Sequence, residues 1–487
     1  MPATGWFAAA GVLLVVTTLA SRVADRLGVP SLLAFIGVGM VIGSDILGWV
    51  HFDDAATAQV VGSIALAYIL FSGGLDTSLS RIREVTAPGV LLSTAGVLFT
   101  ALVVAVPAMW LLGWSFPQSF LLGSVVASTD AAAVFAVMRG RGVGIRRRLA
   151  SLLELESGSN DPMALLLVIG TLQWMAVDAP SFAGLAWMFV VQLVAGAAIG
   201  LAAGMVLPPL LNGARLQQEG LYPVLTISAV LAIYGIAETV GGNPFLAIYL
   251  AGVGLGNATF VHRTSITRFH DGLGWLMQVV MFLVLGLLAF PSRLVDVLVP
   301  GLVLGAVLML VARPLAVALL LLPMGWSLRE VGFLGWVGLK GAVPIVLATF
   351  PLVAGAPHAD VLVLVVFFMV LLSATVQGST VRHAARFFGV AETDQEPLPS
   401  PLVFAPRDEQ ETTLIDLQLA SDSAAIGRRI FELALPQDTL IVVVQRDGKL
   451  MVPRGEFELR SGDHVQVLAH KEDLAQVRAM ICGRASC

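Results

Sequence analysis

The sequence predicts an all-α polytopic membrane protein with a small α+β cytoplasmic C-terminal domain. Three observations predict it. The chain of 487 residues is 57% hydrophobic and only 13% charged, whereas a soluble globular domain has roughly 25% charged residues. Its mean hydropathy is +0.88. Its apolar residues fall in runs of about 20, the length that crosses a bilayer, until the composition changes after Gly389.

Runs of this kind lie near residues 6–25, 31–49, 59–79, 88–112, 118–139, 149–177, 184–211, 221–240, 244–258, 272–290, 296–322, 328–353 and 360–386, about thirteen transmembrane helices in all. The first run has no basic segment before it, so it reads as a span and not as a cleaved signal peptide. With the N-terminus placed outside, the cytoplasmic loops hold Arg22, Arg26, Arg81, Arg83, Arg139, Arg141, Arg146, Arg147, Arg148, Arg215, Arg263, Arg268, Arg329, Arg382 and Arg386, and the external loops hold Arg293 alone. That bias orients the bundle and puts the C-terminus in the cytoplasm. The expected location is the bacterial cytoplasmic (inner) membrane, multi-pass. Two basic residues remain at membrane depth, Arg313 and Lys340.

The expected domains are 1–389 in the membrane, an acidic, Pro-rich linker at 390–401, and a soluble module at 402–484. In that module Thr413–Leu419, Thr439–Gln445, Leu450–Pro453 and His464–Ala469 read as strands, with a hairpin turn at Arg446-Asp-Gly-Lys449. Ser423–Ala434 reads as a capped amphipathic helix, and Glu472–Met480 as a closing helix. The cysteines, Cys482 and Cys487, lie too far along the chain to staple the membrane region.

Within the membrane region the charges are informative. Residues Ala150-Ser-Leu-Leu-Glu-Leu-Glu-Ser-Gly-Ser-Asn-Asp-Pro-Met163 place Glu154, Glu156 and Asp161 beside a wholly uncharged stretch. Ionisable groups at bilayer depth are costly, so they face a wet cavity and act there. A second polar break, Ser128-Thr129-Asp130, interrupts the fifth run. An inverted repeat pairs the first six spans with the last six. It matches that break to Gly338-Leu-Lys-Gly-Ala-Val-Pro344 in the twelfth span. Matched broken helices in two halves point to a transporter site, and their crossing gives the fold its expected core.

Helical spacing puts Ser157 and Asp161 on one face and Glu156 and Asn160 on an adjacent one. A poorly solvated carboxylate at Asp161 holds a proton or a hard monovalent cation, but not both, and competition there suffices for exchange. Asn160, Ser157 and Thr129 offer neutral oxygens to complete a shell for K⁺ or Na⁺, so the transported cation is the metal that Asp161 would bind. Asp161 also suits the cap of a half-helix starting at Pro162. Asp130 is either a direct ligand or the partner of a half-helix dipole. Glu156 needs a charged partner at depth, and Arg313 is the first candidate, with Glu154 competing for it. Such a pair holds geometry more than it adds stability. Lys340 either offsets helix dipoles at the crossing or takes part in transport.

Other features read as structural. Asp76 and Glu238 lie near span ends. His262, His270, His464 and His470 read as surface residues. Gly252-Val-Gly-Leu-Gly256 lacks the βαβ setting of a dinucleotide site, and no Walker loop appears, so no cofactor is expected. Nucleic acid is not an expected partner.

Three motifs carry a family likeness: Ala127-Ser-Thr-Asp-Ala131, Glu156-Ser-Gly-Ser-Asn-Asp-Pro162 and Gly338-Leu-Lys-Gly-Ala-Val-Pro344. Over roughly residues 5–390 they resemble the monovalent cation:proton antiporter 1, or sodium/proton exchanger, family, and within it the bacterial NhaP-type potassium/proton antiporters. The family's Asn-Asp pair falls on Asn160 and Asp161, its upstream glutamate on Glu156, and its unwound Thr-Asp on Thr129 and Asp130. The resemblance implies thirteen helices, core and dimerisation domains, a homodimer, elevator-like alternating access and electroneutral exchange. Where the family commonly has arginine, this chain has Lys340, so the charge carries over and a bidentate contact does not. Ser423-Ala-Ala-Ile-Gly-Arg428 and Arg460-Ser-Gly-Asp-His464 resemble the C-terminal lobe of the regulator of potassium conductance (RCK C-terminal, TrkA-C type). That likeness implies a lobe that binds a small cytoplasmic ligand or dimerises and so gates transport, and it favours K⁺.

The expected function is therefore monovalent cation/proton antiport, K⁺/H⁺ before Na⁺/H⁺, by a transporter and not an enzyme. Two other readings differ in class. A regulated cation channel would not need a trans-side cation. An intramembrane aspartyl protease would pair Asp130 with Asp161, but neither has the Tyr-Asp or Gly-x-Gly-Asp setting of such enzymes.

Overall fold

The computed structural model describes residues 3–27, 31–139, 143–176, 181–393, 412–419, 423–446 and 449–482. They belong to two units, Met1–Asp394 and Gln395–Cys487. Arg141, the expected linker after Thr393 and the expected turn residues Asp447 and Gly448 lie outside the described residues.

The first unit is helical. Its helices are α1 (Ala3–Leu27), α2 (Ser31–Ile42), α3 (Ala55–Asp76), α4 (Leu79–Leu112), α5 (Phe116–Val126), α6 (Ala131–Arg139), α7 (Arg147–Trp174) and α8 (Phe182–Gly213). They continue with α9 (Leu221–Thr239), α10 (Pro244–Gly256), α11 (Arg263–Leu287), α12 (Leu298–Met324), α13 (Leu328–Trp336), α14 (Val343–Val353) and α15 (Ala359–Phe387). Among the described residues, 8 helical segments are long and apolar enough to cross a membrane by length and composition, and α2, α10 and α14 are shorter apolar helices. The 28-residue α7 is not among the 8, because the polar run at 157–161 dilutes its apolar sequence.

One difference from the expected spans has a clear cause, while the two expected breaks are present. Helix α11 begins at Arg263 and not near 272. Arg268, His270 and Asp271 lower the hydropathy of its first turns, yet its backbone is already helical there, with Asp271 and Gly274 on the wall of a large cavity. The α5/α6 and α13/α14 pairs are each interrupted, at 127–130 and 337–342. Pro344 has no N–H to extend α14 backwards. The two breaks meet directly, the Asp130 N–H donating to the Leu339 carbonyl at 2.8 Å.

Helix α10 is seated between α3 and α8 by close backbone approach. A Cβ on Gly200 of α8 would lie 2.5 Å from the Ala247 carbonyl oxygen, and one on Gly74 of α3 would lie 2.6 Å from that of Tyr249. Small residues at a membrane helix interface let backbones pack this closely. Two short strands, β1 (Val143–Ile145) between α6 and α7 and β2 (Ala391–Thr393) after α15, pair antiparallel with Gly144 opposite Glu392.

The second unit is a four-stranded antiparallel sheet in the order β3 (Thr412–Gln418), β6 (His464–His470), β4 (Leu440–Arg446), β5 (Lys449–Met451). Helix α16 (Leu474–Cys482) packs Val477 and Ile481 onto a core that includes Leu417, Ile441, Val444, Val465 and Val467. The expected amphipathic helix at Ser423–Ala434 does not form. Its backbone donors go to distant carbonyls instead: Ala425 N–H to Ile481 at 3.1 Å and Gly427 N–H to Leu459 at 2.9 Å. Gly427 also turns at φ +73°, leaving only a short 3₁₀ turn at Ile430–Leu433.

Candidate functional site

Helix α7 runs through Pro162 without a break. Asp161 therefore does not cap a half-helix starting at Pro162, as the sequence suggested. The proline removes one backbone donor inside the helix, and the helix is retained because 15 of its residues are buried against neighbours.

The i, i+3 and i+4 spacing aims Ser157, Asn160 and Asp161 at the break in α5/α6. The Asn160 Nδ2 donates to Thr129 Oγ1 at 2.7 Å. The Ser157 hydroxyl donates to the Thr129 carbonyl at 3.0 Å and accepts from the Ala131 N–H at 3.0 Å. Unwound backbone in a membrane protein needs such partners, since lipid supplies none. Ser157 and Asn160 thus brace the loop that Thr129 occupies.

The charged residues at the crossing face helix ends. Lys340 Nζ donates to the carbonyls of Ser128 at 2.8 Å and Ala127 at 3.3 Å, just past the C-terminus of α5. Asp130 accepts the Ala133 N–H at 3.0 Å, capping the N-terminus of α6. Each charge opposes the partial charge of its helix end. The absence of a side chain at Gly341 leaves room for the Asp130 carboxylate.

Two residues of this crossing were not singled out from the sequence. The Lys340 N–H donates to Ser373 Oγ at 3.0 Å, Ser373 donates to Gln377 Oε1 at 2.6 Å, and Gln377 Nε2 donates to the Trp336 carbonyl at 2.7 Å. Both lie on α15, and this pair satisfies the C-terminal end of α13. Their i, i+4 spacing in an otherwise apolar helix is the signal that would have found them.

Glu156 and Arg313 form a bidentate pair. Arg313 Nη1 bonds Glu156 Oε1, and Nη2 bonds Oε2 at 2.8 Å. Their side chains are 1% and 4% exposed. A π-helical turn at Leu308–Ala312 immediately precedes Arg313. The competing candidate, Glu154, lies on the wall of the cavity described next.

A cavity of about 1150 Å³ reaches this crossing. Its deep wall includes Ser128, Thr129, Asp130, Ser157, Asp161 and Tyr249. Elsewhere it is lined by residues of α1, α2, α3, α6 and the middle of α11, with Asp76 and Asp271 among them. On that wall Asp161 Oδ1 and Ser128 Oγ are buried without a hydrogen-bond partner, as is Asn160 Oδ1 behind it. One carboxylate with neighbouring neutral oxygens can hold a proton or a dehydrated monovalent cation. A smaller cavity of about 170 Å³, lined by Asp53, Arg293, Ile345, Leu352 and Asp360, lies among α11, α14 and α15.

Glu238 is exposed, away from both cavities. His270 is a correction: the expectation of a surface residue fails. It is fully buried, its Nε2 lies 2.7 Å from the Thr226 hydroxyl, and its ring sits 4.9 Å from that of Phe71 at a tilt of 60°. The low hydropathy around Asp271 disguised a helix whose opposite face packs inward.

With this geometry established, comparison with known proteins is direct. Residues 11–386 match the family model for the sodium/hydrogen exchanger transmembrane region, and residues 414–481 match that for the TrkA-C domain. The chain is 40% identical over 475 residues to the K(+)/H(+) antiporter NhaP2 of Shewanella baltica, covering 96% of this chain and 81% of the relative. It is 37% identical over 482 residues to the K(+)/H(+) antiporter NhaP of Alkalimonas amylolytica, covering 98% and 83%. Among solved structures, the sodium proton antiporter MjNhaP1 of Methanocaldococcus jannaschii superposes with a TM-score of 0.70 at 23% identity, covering 80% of this chain and 100% of that one. The chain belongs to the sodium/hydrogen exchanger family, and so is a secondary cation/proton antiporter and not an enzyme.

Proposed function

We propose that the chain exchanges K⁺ for H⁺ across the cytoplasmic membrane, one for one, with Asp161 as the group that carries either the proton or the cation. The observation that carries this reading is the unpartnered Asp161 Oδ1 on the wall of the large cavity. Buried polar atoms are almost always satisfied, so an orphan oxygen facing a cavity marks a place for a ligand. Thr129, Ser157 and Asn160 provide the neutral oxygens around it. Asp130 and Lys340 serve the helix ends, and Glu156 with Arg313 ties α7 to α12.

The preference for K⁺ over Na⁺ rests on the names of the relatives and on the TrkA-C module. That module would read a small cytoplasmic ligand. About thirteen spans, a homodimer, and an N-terminus outside with the C-terminus in the cytoplasm complete the reading. The orientation is supported by the arginines at Arg22, Arg81, Arg146 and Arg382 against Arg293. It makes the large cavity open to the cytoplasm.

Purified protein in liposomes, or everted vesicles, tests this directly. K⁺ should collapse an imposed ΔpH, with Rb⁺, Na⁺ and Li⁺ compared in the same assay. Exchange should saturate and need a cation on the trans side, which a channel would not. Asp161→Asn should insert normally and abolish exchange. Retained ΔpH-driven exchange in that variant would refute the assignment.

A further inference from the structure

Helix α7 touches its surroundings on two faces around Asp161. One face carries Ser157, Asn160 and Asp161 toward the Thr129 break. The other carries Gly158 and Pro162, four residues apart, toward α10. Asn243 caps α10, its Oδ1 accepting the Leu246 N–H at 3.0 Å. Its Nδ2 donates to the Pro162 carbonyl at 2.8 Å, and its backbone N–H donates to the Gln192 carbonyl of α8 at 2.9 Å. Asn243 is fully buried. Two turns along α10, the Tyr249 ring lies over Gly158. A Cβ there would come within 2.6 Å of Tyr249 Cζ and 2.8 Å of its hydroxyl. Tyr249 also lines the large cavity.

Helix α10 is held to α3 and α8 by backbone approach that leaves no room for side chains, whereas it meets α7 through these two contacts. They bracket Asp161, one on each side along α7. We infer that Asn243 and Tyr249 are positioning residues for exchange. Together they form a two-point bearing on which α7 rests, and the Asn243–Pro162 bond is the latch that holds Asp161 open to the large cavity. The inference builds on the antiport reading, because a carboxylate that serves both sides must break this bond as α7 shifts.

Asn243→Ser separates the latch from the cap. Serine caps a helix as well as asparagine does, but its hydroxyl is too short to cap α10 and also reach Pro162. In a background with Cys482→Ser and Cys487→Ser, Leu352→Cys reports on the small cavity at the other end of the bundle. An impermeant maleimide added from that side should label Leu352→Cys about two- to tenfold faster when Asn243→Ser is present, the factor expected for one net hydrogen bond. The melting temperature should fall less in Asn243→Ser, which loses only the Pro162 bond, than in Asn243→Ala, which loses the cap as well. Unchanged labelling in Asn243→Ser would overturn the latch. For the second contact, Tyr249→Ala should raise Leu352→Cys labelling as Asn243→Ser does, while Tyr249→Phe, which keeps the ring over Gly158, should label as the parent. Parent-level labelling in Tyr249→Ala would remove Tyr249 from the bearing. Wild-type exchange in the same vesicles distinguishes the two readings: its absence sinks antiport, while normal exchange with unchanged labelling sinks the latch alone.

Discussion

Glu156 and Asp161 stand five residues apart on one helix, both buried, and their environments could hardly differ more. Glu156 has both oxygens on one guanidinium and does not line the large cavity. Asp161 has an oxygen with no partner and a cavity beside it. A carboxylate whose acceptors are filled by a fixed cation cannot trade that partner during a transport cycle. One with an open acceptor can. Burial alone therefore does not identify the exchanging acid, while the state of its hydrogen bonds does. Asp130 lies between these extremes, since the N-terminus of α6 occupies one oxygen.

The largest effect is expected where the comparison predicts pure architecture. Glu156→Gln strands the Arg313 charge in the bilayer. Breaking one side of a buried ion pair costs about 3–5 kcal/mol. Thermal melting in detergent should show a marked drop and expression should fall, while cation half-saturation of the surviving protein changes little. A normal melting temperature would put Glu156 on the side of Asp161 instead.

Asp130→Asn probes the intermediate case. Asparagine caps a helix about as well as aspartate, so α6 should stay in place and the protein should insert. The lost charge would still be felt at the crossing. A partly buried charge at a helix end is worth up to about 2 kcal/mol, so exchange should fall by no more than about 30-fold. Asp161→Asn should leave none. Complete loss in both variants would make Asp130 a cation ligand and erase the distinction.

Much of this was legible before any coordinates. Glu156, Asp161, Arg313 and Lys340 stand out because charge is rare in apolar sequence, and the cost of burying it forces a role. The interruptions at Thr129 and Gly338 show through their glycines, proline and polar residues. What stayed hidden depends on packing across the bundle. Asn243 reads as an ordinary cap before Pro244, and nothing local reveals that its amide reaches Pro162. Ser373 and Gln377 are two polar residues in a long apolar run, and their partners lie on another helix. His270 looked exposed because its neighbours Arg268 and Asp271 are polar, yet a helix shows each face separately. In the soluble module, Ser423–Ala434 has helical patterning, but backbone pairing with Leu459 and Ile481 wins over it.

Asp54 offers the smallest effect and a control for the cap chemistry of Asp130. It caps α3 at the surface, accepting the N–H groups of Ala56 at 3.0 Å and Thr57 at 3.1 Å and the Thr57 hydroxyl at 2.5 Å. The Thr57 hydroxyl, and then the Thr57 N–H, hold its carboxyl below the ordinary value of 3.8. A group whose pKa falls on folding adds stability above its unfolded value, and that stability disappears as the pH drops through the folded value. Asp54→Asn keeps an acceptor at the cap and loses the charge. It should melt slightly below the wild type at neutral pH, and the gap should close as the pH falls below about 3.8 toward the depressed folded value. Its exchange rate should match the wild type at every pH tested. The same substitution at Asp130 removes a charge beside the cavity, so a pH-dependent change in exchange there, absent at Asp54, would come from the crossing and not from helix capping.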